Sequence, residues 1–306
     1  MNINTTITPN TLLEGLREVF TDSLKEEVEP MQATSKDIFN FYASRKNSED
    51  FQKVSGVGRF TAVAEEDPTP IVKRDEIMKT NFSHSTFRKG VGISYEALED
   101  QLYNEMKDNV EQLAISARET MEFNRFAVIR NIAITNGADG VPLASNSHPL
   151  SGGQTQDNLI TGAITETVLE SAFQLFREMK DYTLKQFISA PKILLTAPAN
   201  HAEVMRLTKS KLQANTANND LNYLSEVFPG VRVMFSPYIG VAAGGSDTGV
   251  TLIGKRHKMN TVVREKLRTW MNKWDESSDI VTKFNALYRE SVGFADFVGV
   301  VHMTGV

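Results

Sequence analysis

Five histidines, His84, His148, His201, His257 and His302, are the side chains in this sequence best suited to metal or proton chemistry. A helical metal site needs two of them at i, i+4, and no two have that spacing. Asp139 and His148 share a Gly/Asn/Ser-rich loop and could converge on a cation, but residues of this kind more often stabilise turns, so no metal is assigned. The absence of cysteine excludes disulfides, Cys-based zinc sites and a thiol nucleophile. The glycine-containing runs GVGRF and LIGKRHK lack the spacing of a P-loop or a dinucleotide fingerprint, and no G-x-S-x-G elbow is present. Neighbouring carboxylates, Glu65/Glu66/Asp67 and Glu99/Asp100, read as solvated faces. The run Lys255, Arg256, His257, Lys258 is the densest basic patch. It could touch DNA phosphate or an acidic neighbour, and a solubilising turn is the plainer reading. This survey implies no catalytic residue and no cofactor.

Composition narrows the remaining classes. A chain of 306 residues with 41% hydrophobic and 23% charged residues is long enough for one large domain or two moderate ones. A net charge of −5 argues against a general nucleic-acid coat, which would carry a basic excess. The start, MNINTTITPN, has no basic segment followed by an apolar one, so no signal peptide is expected. Apolar runs fall short of the roughly 20 residues that cross a bilayer, so no membrane partner is expected and the chain is expected to fold in the cytosol.

The order of elements is more informative. Residues 1–50 read as an arm: Thr11 is placed to cap a helix carrying Leu12, Leu13, Leu16, Val19, Phe20 and Leu24, with Pro30 beyond it. Such an arm makes no core alone and must lie on its own body or a neighbour's. Residues 51–92 suggest a two-stranded excursion, Val54–Ala64 against Asn81–Ile93. Its polar tip contains Pro68, Pro70, Lys73 and Arg74, and it should be stabilised by docking on another subunit. From 94 to 136, Leu98, Leu102, Met106, Val110, Leu113 and Met121 step at helical spacing, with Ser94 as N-cap and Asn136-Gly137 as stop. A helix of that length would run about 60 Å. A loop at 137–163, an amphipathic helix opened by Thr165, a βα unit at KILLTAPANHAEVMRL and strands from about Asn260 complete the chain.

This order resembles the HK97-fold major capsid proteins of tailed bacteriophages. The junction KGVGISYEALED, the segments KILLTAPANHAEVMRL and VRVMFSPYIG, and the final GFADFVGVVHMTGV carry the resemblance. Within that fold, GADGVPLASNSHPLSGGQTQDNLIT resembles the Mu-like major head subunit family through Asp139-Gly140 and His148-Pro149. The resemblance implies an α+β fold with an N-terminal arm (1–50) and an E-loop (51–92). It implies a peripheral domain (93–159 and 261–290) with its spine helix at 94–136, and an axial domain (160–260 and 291–306). Gly56, Gly58, Gly90 and Gly92 would be hinges of the E-loop. Lys73 and Lys79 lie near that loop without a motif marking either as reactive. The implied function is self-assembly into hexamers and pentamers of a shell enclosing double-stranded DNA, without sequence-specific binding. A portal is expected, and the lack of a long charged segment before the arm points to a separate scaffolding protein or to a start that follows a cleavage. An encapsulin-type compartment, or a soluble α/β enzyme, is the alternative.

Overall fold

The computed structural model describes residues 9–25, 29, 31–54, 60–65, 67–71, 76–94, 103–210, 223–227, 230–272 and 280–306. In chain order these form α1 (Pro9–Ser23), α2 (Ser35–Ile38), β1 (Asn40–Ala43), β2 (Ser48–Val54), β3 (Glu76–Ser83), β4 (Ser85–Ser94) and the long helix α3 (Tyr103–Arg130). A loop follows with the short strands β5 (His148–Pro149), β6 (Thr155–Gln156) and β7 (Leu159–Ile160). Then come α4 (Glu166–Glu178), β8 (Pro191–Thr196), α5 (Pro198–Lys209), α6 (Tyr223–Val227), β9 (Arg232–Phe235), β10 (Val250–Gly254), β11 (Met259–Asn272), β12 (Ile280–Phe294) and β13 (Val300–Met303).

Two sheets organise the molecule. The first has the order β1-β11-β12-β4, with β12 antiparallel to both β11 and β4 and β1 parallel to β11. The second has the order β7-β13-β10-β8-β9. There β8 and β9 are parallel and joined through α5, the connection a parallel pair requires. Strand β10 is buried along its whole length, which explains why VTLIG is apolar without alternation. Helix α4 begins where the Thr165 hydroxyl accepts a hydrogen bond from the Val168 N–H, and it buries Leu169, Ala172, Phe173 and Phe176. Pro198 opens α5 at a position that needs no N–H donor.

The core has two parts. The larger surrounds the second sheet and includes Phe126, Ile129 and Ile132 at the end of α3. The smaller joins Leu16 and Phe20 of α1 to Met106, Val110, Leu113 and Ala114 of α3 and to Phe284 and Ala286 of β12. Each large side chain buried there contributes about 1.5–3 kcal/mol. Leu16 and Phe20 of the arm's apolar stripe are therefore covered by their own subunit.

Several boundaries differ from the sequence expectation. Helix α1 starts at Pro9, so Thr11 lies inside it, and it ends at Ser23, before Pro30. Ser94 ends β4 opposite Ile280, and the residues that would follow it in a helix lie outside the described ones. The N-terminal part of the expected spine helix, with Leu98 and Leu102, lies outside the described residues. The described helix stops at Arg130, short of Asn136, because the Ile132 carbonyl accepts the Ala144 N–H, drawing the chain into the following loop. The excursion is also differently built. Strand β2 pairs with β3, and the second apolar run divides at His84, whose remainder, β4, joins β12. Residues 60–64 form no strand.

Two histidines placed by this fold make a test. The Nδ1 of His257 accepts the Met259 N–H, and the Nδ1 of His302 lies 3.0 Å from the Thr251 hydroxyl. Desolvation, aided at His257 by Lys192 and Lys258, pushes both down to about 4. Below the ordinary histidine pKa of about 6.5 the unfolded chain takes up protons that these rings refuse. Their contribution is complete above that value and lost as the pH falls towards 4. Urea unfolding of the dissociated subunit should show stability falling by a few kcal/mol between about pH 6.5 and 4, less steeply in His302→Gln.

Candidate assembly surface

The β2–β3 hairpin is anchored on its own subunit. Phe82 is buried, packs edge-on against Phe51 at 4.9 Å and lies so close to Gly293 of β12 that a Cβ there would sit 3.0 Å from its ring. Lys53 reaches Asp296 at 2.7 Å, both side chains mostly buried, and its ammonium stands 5.3 Å from the centre of the Phe297 ring. These long-range contacts attach the ladder to its own body.

Beyond Val54 the situation reverses. Every described residue from Phe60 to Ile71 is exposed, including Phe60 at 107%, Ile71 at 92% and Val63 at 54%. Pro68 and Pro70 are in this stretch, while Lys73, Arg74, Gly56 and Gly58 lie outside the described residues. Gly90 and Gly92, expected as hinges, sit within β4, paired with Asn285 and Lys283. A Cβ at Gly90 would meet the Asn285 Oδ1 at 2.5 Å, so this glycine permits close strand approach.

The hairpin root is set by a buried ionic hub. The Arg125 guanidinium on α3 contacts the Glu290 carboxylate of β12 through Nη2 at 2.7 Å and Nε at 3.2 Å, and Nη1 donates to the Ser35 hydroxyl at 3.0 Å. Glu122 accepts from the Ser35 hydroxyl at 2.6 Å and from its backbone N–H at 2.8 Å. Glu290 faces Ser85, the first residue of β4 after the hairpin. One cluster therefore ties the segment after the arm, the long helix and the strand that receives the hairpin. Nothing in the spacing of Ser35, Arg125 and Glu290 announced it. Of the apolar residues expected on the long helix, Met106, Val110 and Leu113 are buried, and Met121 is half-buried.

The loop after α3 holds a second buried polar group. His148 is fully buried, its Nδ1 2.7 Å from the Asp139 carboxylate and its Nε2 3.1 Å from the Asn158 Oδ1. The Asn158 amide is oriented by donating to the carbonyls of Leu143 and Val300 and by accepting the Ser145 N–H. Phe297 stacks on the imidazole at 3.9 Å. All valences of His148 and Asn158 face protein, which is the geometry of a structural lock and leaves no open position for a substrate. Among the described residues no group of three or more His, Asp or Glu is placed to hold a metal, and no helix is long and apolar enough to cross a membrane.

A family model described as phage capsid protein matches residues 77–303. The chain belongs to the phage capsid protein family. No curated protein matches it in sequence. Among solved structures it is similar to the capsid of the cyanophage P-SCSP1u, at 12% identity over 91% of this chain and 90% of that one, with a TM-score of 0.56. The mature capsid of bacteriophage PhiM1 gives 10% identity over 91% and 89% with a TM-score of 0.56, and the capsid of an empty GTA particle 12% over 91% of each with 0.55. The fold is the mixed α and β HK97-like capsid fold, and the function is that of a major capsid protein, a subunit of the virion shell.

Two outcomes follow for the capsid subunit. Arg125→Ala strands the buried Glu290 charge and should cost about 3–5 kcal/mol in urea unfolding, whereas Arg125→Met with Glu290→Gln should recover much of it. His148→Ala removes the ring that joins Asp139 to Asn158 and should cost about 2–4 kcal/mol, with earlier proteolysis in the 137–160 loop as the local readout.

Proposed function

We propose that this capsid protein assembles with copies of itself into the pentamers and hexamers of an icosahedral shell that encloses the double-stranded DNA of a tailed phage. The observation that carries this reading is the exposure of the tip between Phe60 and Ile71, which holds apolar side chains away from its own subunit. Burying Phe60 and Ile71 against a neighbour would contribute roughly 1.5–3 kcal/mol per side chain and per contact, and a closed ring repeats that gain at every subunit. Head-to-tail contacts of this kind close into rings, and the same contact serves rings of five and six when the joint is adaptable.

In this reading the first sheet, with α1 and α3, belongs to the peripheral domain, and the second sheet, with α4 and α5, to the axial domain packed around the capsomer centre. Gly56 and Gly58, which follow β2 in the sequence, supply the bend of the E-loop, while Gly90 and Gly92 allow the close approach of β4 to β12. Pro68 and Pro70 keep the tip from pairing with a foreign strand edge. Lys73 and Arg74 complete the tip. The role is structural, without catalysis. Assembly in the host cytoplasm would use a separate scaffolding protein and a portal, and the DNA is enclosed without sequence readout.

Deletion of residues 60–71 should yield a subunit with the wild-type urea midpoint that forms no shells in negative-stain micrographs. Wild-type-like particles from that deletion would remove the tip from the mechanism.

A further inference from the structure

Five cations line two adjoining clefts on the subunit. The turn between β10 and β11 contributes Lys255, Arg256 and Lys258, which line a cleft of about 400 Å³ together with Tyr42 and Phe187. An adjoining cleft of about 310 Å³ shares Lys255 and adds Lys36 and Lys192. All five cations are exposed, and among the described residues none is paired with a carboxylate. The one acid in the lining, Asp37, is already engaged by the Thr34 N–H and hydroxyl and stands 3.8 Å from Arg232. The concentration of charge is notable in a chain whose net charge is −5. The wall is not purely polar: Phe187 and Tyr42, the latter 46% exposed, line it.

The opposite character is found at the hairpin tip. Residues 60–71, FTAVAEEDPTPI, contain three acids and no base, with Arg59 before them and Lys73 and Arg74 after, and Phe60 and Ile71 are exposed. We infer that the cleft formed by Lys36, Lys192, Lys255, Arg256 and Lys258 is the receptor for the Glu65–Asp67 tip of a second copy, with Phe60 against Tyr42 and Phe187. This rests on the assembly role proposed for the tip and names its partner surface. Charge complementarity selects the occupant, since the tip is an exposed acidic segment that also brings apolar side chains to the cleft. A phosphate backbone would meet the cations but leave Tyr42 and Phe187 uncovered.

The test uses the full chain. Reversing the cleft, Lys255→Glu with Arg256→Glu and Lys258→Glu, should lower the yield of shells at least about tenfold, as should Glu65→Lys with Glu66→Lys and Asp67→Lys. Mixing both reversals in one chain should return the yield to within about twofold of wild type, because like charges no longer face each other. Circular dichroism and the urea midpoint report whether each variant folds. A second measurement exploits the cysteine-free sequence. Particles of Ala64→Cys with Ala190→Cys, the latter beside Lys255, should give a ladder of covalently linked subunits on oxidation, and neither single variant should. Wild-type shells with no ladder and no recovery in the combined variant would overturn the cleft assignment while leaving tip-driven assembly standing. So would a cleft reversal that assembles normally but loses duplex DNA binding, which would assign the cations to phosphate. A wild-type chain that never forms shells would overturn both readings.

Discussion

A buried guanidinium–carboxylate pair, Arg125 with Glu290, is the constraint on which the arrangement of this subunit depends. Glu290 is 3% exposed, and a carboxylate so enclosed is tolerable only where donors meet it. Arg125 meets it with two nitrogens and spends a third on Ser35. The helix α3 can therefore lie over β12 in one register, with the chain after α1 drawn against both. Because β12 is paired along both edges, fixing it also fixes β11 on one side and β4 on the other. Glu290 stands opposite Ser85, so the place where the hairpin leaves the sheet is fixed by the same pair.

From that root the hairpin follows a graded path from covered to uncovered. Phe82 is buried against β12, Lys53 is held by Asp296, and from Phe60 to Ile71 the described residues are exposed. The sequence left open whether the arm lies on its own body or a neighbour's. Leu16 and Phe20 of the arm are absorbed in the smaller core of their own subunit, while Phe60 and Ile71 of the tip are not covered by it.

Much of the fold was legible in advance because its signals are local. The step from Met106 to Val110 to Leu113 marks a helix with one buried face, and Thr165 and Pro198 mark helix starts through backbone donor requirements that any structure must meet. The apolar run at 250–254 marks a strand covered on both faces. The loop motif around Asp139 and His148 was visible as a turn, but its partner Asn158 was not singled out, although it lies only ten residues beyond His148. The division of the second hairpin run at His84 escaped notice, because one strand pattern serves two partners and periodicity does not name the partner.

The amino-acid sequence by itself determined the kinds of element, their order, the lack of sulfur chemistry and the absence of a recognisable catalytic motif, since each follows from short-range stereochemistry or from residue type alone. Only the tertiary structure decided which apolar residues are covered within the subunit, which carboxylate Arg125 neutralises, and that Lys36 and Lys192 join the 255–258 turn around two adjoining clefts. Those facts link residues far apart in the chain, as does the pairing of Lys53 with Asp296, 243 positions away, and such pairings are selected by burial and charge compensation in the folded chain, which no local pattern encodes.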